Sequence, residues 1–210
     1  MKLLREYIRE LLTEATMGPT DLPEGISVAI EPGSGAEVRI YYAAEDPLNS
    51  GEWMRADMLY RNPRGSVAIS SVPRVASRAG MGECGGAWEL YHAEATSGWG
   101  PLLYDVAMEY ATQNGGGLIS DRGAVSPAAR NVWDYYFSNR SDVTGIQLDD
   151  LQNTLTPEEE DNCVQRVASY TNHHGMPKNI DWQTSPLSKR YTKPPTTMNA
   201  LEAAGKLVIQ

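Results

Sequence analysis

Apolar and polar positions change their period several times along the chain, and each change marks an element. Over residues 2–15, Leu3, Leu4, Tyr7, Ile8, Leu11 and Leu12 recur on one helical stripe, which predicts a short amphipathic helix ended by Met17-Gly18-Pro19. A helix this short is marginal alone and must dock on something. Ile26-Ser27-Val28-Ala29-Ile30 and Val38-Arg39-Ile40-Tyr41-Tyr42 alternate on either side of Pro32-Gly33-Ser34-Gly35, which predicts a hairpin over residues 25–44. A further strand is expected from Ser66 to Ser71, and a Gly-, Ala- and Ser-rich loop or lid over residues 74–86.

The centre of the chain is the most informative stretch. Trp88 to Ala95 alternates as a strand, with a slip of phase near Tyr91. Thr96-Ser97-Gly98-Trp99-Gly100-Pro101 then turns into a helix, whose apolar spacing runs through Leu103, Val106, Ala107, Tyr110 and Ala111. Asn114-Gly115-Gly116-Gly117 is expected to close that helix with a left-handed glycine cap. Leu118-Ile119-Ser120 starts a short strand, Ser126 with Pro127 opens a second helix to about Tyr136, and Asp142 to Leu148 reads as one more strand. Beyond it, Thr156-Pro157-Glu158-Glu159 predicts a capping box opening a helix to about Tyr170. Residues 172–198 carry four prolines and read as an extended arm that wraps the domain, with a last short helix from Ala200 to Lys206.

These elements divide the chain into an amphipathic helix (1–17), a central domain (18–150) and a C-terminal helix with its arm (151–210). The length of 210 residues fits one domain with spare chain, and 41% hydrophobic residues exclude a disordered protein. A net charge of −9 argues against a nucleic-acid partner, and no apolar run is long enough to predict a membrane span. Cys84 and Cys163 form no disulfide framework or CxxC, so free thiols in a reducing compartment are expected. His173-His174 with Cys163 fits no ligand spacing, so no metal is expected. Asp149-Asp150 reads as a solvated face, and Lys189, Arg190 and Lys193 as surface.

The chemistry is expected at Ser97-Gly98-Trp99-Gly100. This is neither a Walker A loop, since it lacks Gly-Lys-Ser/Thr, nor a three-glycine dinucleotide fingerprint. It offers consecutive backbone N–H groups at a helix N-terminus, with glycines that let a ligand come close, which is an anion cradle.

This run resembles the GNAT family of N-acetyltransferases, whose signature is a strand entering Gln/Arg-x-x-Gly-x-Gly/Ala and then a helix. Here the run is Ala95-Thr96-Ser97-Gly98-Trp99-Gly100, and the strand at Leu118-Ile119-Ser120 with the helix from Ser126 is similar to the family's second motif. The likeness covers residues 25–150 in element order and 88–137 in motif detail. It implies an α/β (α+β) fold: a mixed, mostly antiparallel central sheet flanked by helices. It also implies acetyl-CoA as co-substrate, an amine acceptor, pyrophosphate on the N–H groups of Gly98, Trp99 and Gly100, and pantetheine between two splayed strands. Ala93, Ala95, Ser97 and Ser120 would complete the cofactor site. A base is implied from His92, Glu94 or Glu89 on the strand, with His92 and Glu94 sharing one face and Glu89 on the other. Two departures stand out. Ala95 occupies the Gln/Arg position, and if Ser126 aligns with the family's helix-opening Asn, the acid's Tyr position falls on Trp133. Tyr135 or Tyr136 is then the substitute acid only if the helix is displaced.

The N-terminus is similar to those of tailed-phage proteins, and Leu12-Thr13-Glu14 resembles the Leu-x-Glu sites of prohead proteases. That likeness implies a phage protein of the host cytoplasm or packaged in the virion, with residues 1–14 a removable targeting helix and capsid proteins as partners. The alternative function is a catalytically inactive GNAT-fold virion or host-interaction protein.

Overall fold

The structure is a computed structural model that describes residues 17–33, 35–59, 65–71, 82–149, 155–163 and 182–210. The predicted N-terminal helix and its cleavage site, most of the predicted lid, residues 164–170 of the predicted third helix and both His173 and His174 lie outside them.

The hairpin forms as expected, from β1 (Ile26–Pro32) and β2 (Glu37–Glu45), paired antiparallel from Ile26–Ala44 to Pro32–Val38. β3 (Trp53–Arg55) lies against the end of β2 and leads into the single turn α1 (Ala56–Leu59). β4 (Gly65–Ser70) pairs antiparallel with β2 on one side and with β5 (Trp88–Ala95) on the other. Helix α2 (Gly100–Asn114) then crosses the sheet and returns the chain to β6 (Leu118–Ser120), which runs parallel to β5. Helix α3 (Pro127–Asn139) follows, with the Ser126 hydroxyl accepting the Ala129 N–H at 3.1 Å, and β7 (Thr144–Gln147) after it. Among the described residues the sheet is mixed, open and mostly antiparallel, with helices packed against it.

Burial of one helical stripe explains the packing. Leu102, Leu103, Val106, Ala107 and Ala111 of α2 press on Val28, Ile30, Ile40, Val67 and Ile69 of the sheet, all nearly water-free. Each of the buried Leu, Val and Ile side chains contributes roughly 1.5–3 kcal/mol of transfer free energy.

The last residues depart furthest from expectation. Residues 155–163 are not helical: the Thr156 N–H and hydroxyl are held by Asp149, so its hydroxyl cannot serve the predicted cap. Asp149, expected in solvent, is fully buried there. The arm does not merely wrap the domain. β8 (Lys189–Thr192) inserts between β6 and β7, and α4 (Thr196–Ala203) leads to β9 (Leu207–Ile209), which adds to the opposite edge beside β1. Lys189 and Lys193, expected at the surface, are therefore buried. Lys193 pairs with the buried Glu109 of α2, which also accepts the N–H groups of Thr197 and Met198 at the start of α4. A carboxylate at a helix N-terminus satisfies both the free N–H groups and the dipole.

Two further expectations are overturned. Cys84 and Cys163 are joined in a disulfide and fully buried, so neither is a free thiol, and the ground for placing the chain in a reducing compartment goes with them. Gly115 caps α2 in extended rather than left-handed conformation, at φ −174°. The glycines there serve close approach instead, since a Cβ on Gly116 would lie 1.9 Å from the Gly85 carbonyl oxygen.

Candidate functional site

β5 is two strands in one. Its first three residues pair with β6, through Trp88–Leu118, Glu89–Ile119 and Leu90–Ser120, and Glu89 and Leu90 pair with β4 as well. Beyond Leu90, β6 ends and no strand among the described residues pairs with that edge of β5. The two parallel strands diverge there because Asp121 turns the chain away, its Oδ1 accepting the N–H groups of Gly123 and Ala124. On the other edge, Leu90 opposes Ile69 and His92 opposes Ala68, which leaves Tyr91 as a bulge. The phase slip in the sequence is this bulge, and such an insertion bends a strand and increases its twist.

The gap is a cavity of about 680 Å³. Its walls are residues 90–95 of β5, the turn at Ser97 and Gly98, the first turns of α2 at Gly100, Pro101 and Tyr104, and the segment from Asp121 into α3 as far as Val132 and Trp133. This size suits a sizeable organic ligand.

The glycine turn closes one end. Gly98 has φ +83°, a conformation that costs other residues roughly 1–2 kcal/mol. The Trp99 N–H donates to the Thr96 carbonyl at 3.0 Å, so it is spent inside the turn rather than offered to an anion. The Trp99 ring turns away from the cavity and meets Tyr42 edge-on at 5.0 Å, while the Tyr42 hydroxyl donates to the Trp99 carbonyl at 2.5 Å. Trp99 thus braces the turn from behind.

Of the residues expected at a cofactor, Ala93, Ala95, Ser97, Gly98 and Gly100 line the cavity. Trp99 and Ser120 do not; Ser120 is buried at the end of β6. Of the expected catalytic groups, His92 and Glu94 stand at the cavity, both exposed. Glu94 reaches Arg55 at 3.3 Å and the Ser66 hydroxyl at 3.4 Å. Glu89 is 1% exposed and accepts the Arg122 N–H at 2.6 Å, so it builds the strand rather than serving as a base. The bulge also corrects the expected faces. Glu89, His92 and Glu94 oppose Ser70, Ala68 and Ser66, alternate residues of β4, so all three share one face.

Tyr136 is not brought to the cavity. Its buried hydroxyl donates to Asp105 at 2.7 Å and lies 3.1 Å from the Pro101 carbonyl, and burial with the Asp105 charge pushes its pKa well up. Trp133 forms floor instead, stacked on Tyr191 at 5.1 Å and edge-on to Tyr104 at 5.9 Å. Tyr104 lines the cavity too, as do Asp121 and Val132, which carry no signal of a site in the sequence pattern.

No group of three or more His, Cys, Asp or Glu among the described residues could hold a metal ion, and no helix among them is long and apolar enough to cross a membrane. Scans of family models, curated proteins and solved structures find no match to this chain.

Proposed function

We propose that the protein binds acetyl-CoA in the cleft between β5 and β6 and transfers the acetyl group to an amine. The observation that carries this reading is the divergence of two parallel strands after Leu90, with an open cavity between them and a glycine turn into a helix at one end. A pantetheine arm would lie along residues 92–95, on the edge of β5 that no strand among the described residues pairs, where backbone polar groups offer it partners. The pyrophosphate would face the Gly98 and Gly100 end of the turn and the N-terminus of α2, which attracts negative charge.

The bulge gives β5 two working sides. Leu90 and Ala93 share a face with Val67 and Ile69, toward the core and α2, while His92 and Glu94 share the other. The cofactor would enter from the helix side and the amine from the face of His92 and Glu94. There the amine nitrogen attacks the thioester carbonyl carbon, the C–N bond forms, and the C–S bond breaks with its electron pair on sulfur. The ammonium proton passes to Glu94 or His92, and the thiolate takes a proton from solvent.

A second reading rests on Trp133 and Tyr136. With Trp at the expected acid position and the Tyr136 hydroxyl tied to Asp105, the scaffold would bind partners without catalysis, as a virion or host-interaction protein. Isothermal titration with acetyl-CoA separates the first reading from both failures. Binding, together with CoA release in the presence of an amine panel, supports the transferase; binding without release supports the inactive scaffold. No heat at high micromolar acetyl-CoA overturns the cofactor assignment.

A further inference from the structure

Five tyrosines are buried, and their hydroxyls set a pattern. Tyr41 donates to Gln210, Tyr42 to the Trp99 carbonyl, Tyr136 to Asp105 and Tyr191 to the Pro186 carbonyl. Buried hydroxyls are paired because an unpaired one forfeits its hydrogen bond to water. Tyr104 breaks the pattern. It is 6% exposed, yet its hydroxyl makes no hydrogen bond among the described residues. Its ring is fixed by Trp133 edge-on at 5.9 Å and by Tyr136 stacked at 6.1 Å. It also lines the cavity, and its oxygen is not among the fully buried atoms left without a partner.

The wall around it is apolar, formed by Val67, Leu90, Val132 and Trp133. A rigid donor on such a wall is placed for an acceptor carried by the ligand. We propose that the Tyr104 hydroxyl anchors a carbonyl of the acyl-pantetheine arm, an inference that rests on the acetyl-CoA reading. Pantetheine carries amide and thioester carbonyls along a largely aliphatic chain, so a donor inside an apolar cleft suits that arm. Tyr104 stands on the second turn of α2, inward of the glycine turn, where an arm leaving the pyrophosphate would pass. Burial raises its pKa to about 12, so it keeps its proton and acts as donor at neutral pH.

Tyr104→Phe removes the hydroxyl and keeps the ring. Isothermal titration of wild type and variant with acetyl-CoA, and with adenosine 3′,5′-bisphosphate as the armless probe, reads the effect. The expected result is acetyl-CoA binding weakened by about 3- to 10-fold, with the bisphosphate affinity and the Tm unchanged. Wild type that binds acetyl-CoA beside a variant that binds it equally well overturns the anchor and leaves the cofactor reading standing. Equal weakening of both probes, or a fall in Tm, makes Tyr104 a packing residue and also overturns the anchor. Wild type that binds no acetyl-CoA overturns the cofactor reading, and the anchor with it.

Discussion

The two halves of β5 use the same backbone for opposite purposes. Glu89 and Leu90 are paired on both edges and buried, while residues 92–95 pair with β4, meet no strand among the described residues on the other edge, and are exposed. The closed half is locked by groups distant in sequence. The disulfide holds Cys84, just before the strand, to Cys163, whose carbonyl accepts a hydrogen bond from Arg122 at 3.2 Å. Arg122 also reaches the Leu187 carbonyl at 2.8 Å and gives its backbone N–H to Glu89. In the open half, Glu94 makes a modest, exposed tie to Arg55 and Ser66. A cleft needs this asymmetry. Strands joined along their full length leave no room for a ligand, and strands joined nowhere have no fixed spacing.

The strongest way to break the comparison is to cut the lock. Breaking the disulfide, by dithiothreitol or by Cys84→Ser with Cys163→Ser, is expected to cost about 4 kcal/mol for a separation of 79 residues. Urea unfolding measures it. A loss under about 1 kcal/mol would mean that the closed half holds without the link.

Next in size is Glu89→Ala against Glu94→Ala. The first strands a buried Arg122 N–H and removes a buried carboxylate, at a cost of about 3 kcal/mol. The second removes an exposed pair and should change stability by less than about 0.5 kcal/mol, while slowing any acetyl transfer for which it is the base. Equal losses in urea would erase the distinction between the halves.

A third substitution sharpens it from the open side. Ala93→Trp should leave unfolding within about 0.5 kcal/mol of wild type, because Ala93 is exposed and no new cavity forms in the core. The large side chain would fill the cleft, so acetyl-CoA titration should show at least a tenfold weakening. Unchanged affinity would place the cofactor elsewhere.

What was legible in the sequence divides along the same line. The hairpin, β4, β5, α2 and α3 follow from local periodicity and local caps, and even the bulge left its trace at Tyr91. The open half was therefore readable, since Gly98, Gly100, His92 and Glu94 stand close together in the chain. The lock was not. Two cysteines 79 residues apart carry no spacing signal, and the buried state of Lys193 rests on its pairing with Glu109, 84 residues away on another element. β8 is a short Lys-Arg-Tyr-Thr run whose alternation is hidden by charge, yet it lies inside the sheet. The placement of Tyr136 was hidden for the same reason. Its helix was readable, but the partner that takes its hydroxyl, Asp105, is on α2.

The smallest expected effect concerns the helices that flank the open half. Arg140, just after α3, holds Asp105 of α2 at 2.9 Å and Asp142 at 2.7 Å, and so ties the two cleft helices together. The Arg140 hydrogen bond holds the Asp142 carboxyl down at about 2, against a usual value of 3.8. A carboxyl whose folded pKa is depressed adds stability above its unfolded pKa and loses it as pH falls through the folded one. The tie should therefore be whole above about pH 4 and weaken as pH falls toward 2. Asp142 is partly exposed, so water screens the pair and the contribution stays under about 1 kcal/mol. Asp142→Asn should flatten that limb of the stability–pH curve and leave the curve above pH 5 parallel to wild type. If instead Asp142→Asn also weakened acetyl-CoA binding at neutral pH, the helices of the open half would be set by this tie and not by their packing on the sheet. The open half would then depend, like the closed one, on a link between groups distant in the chain.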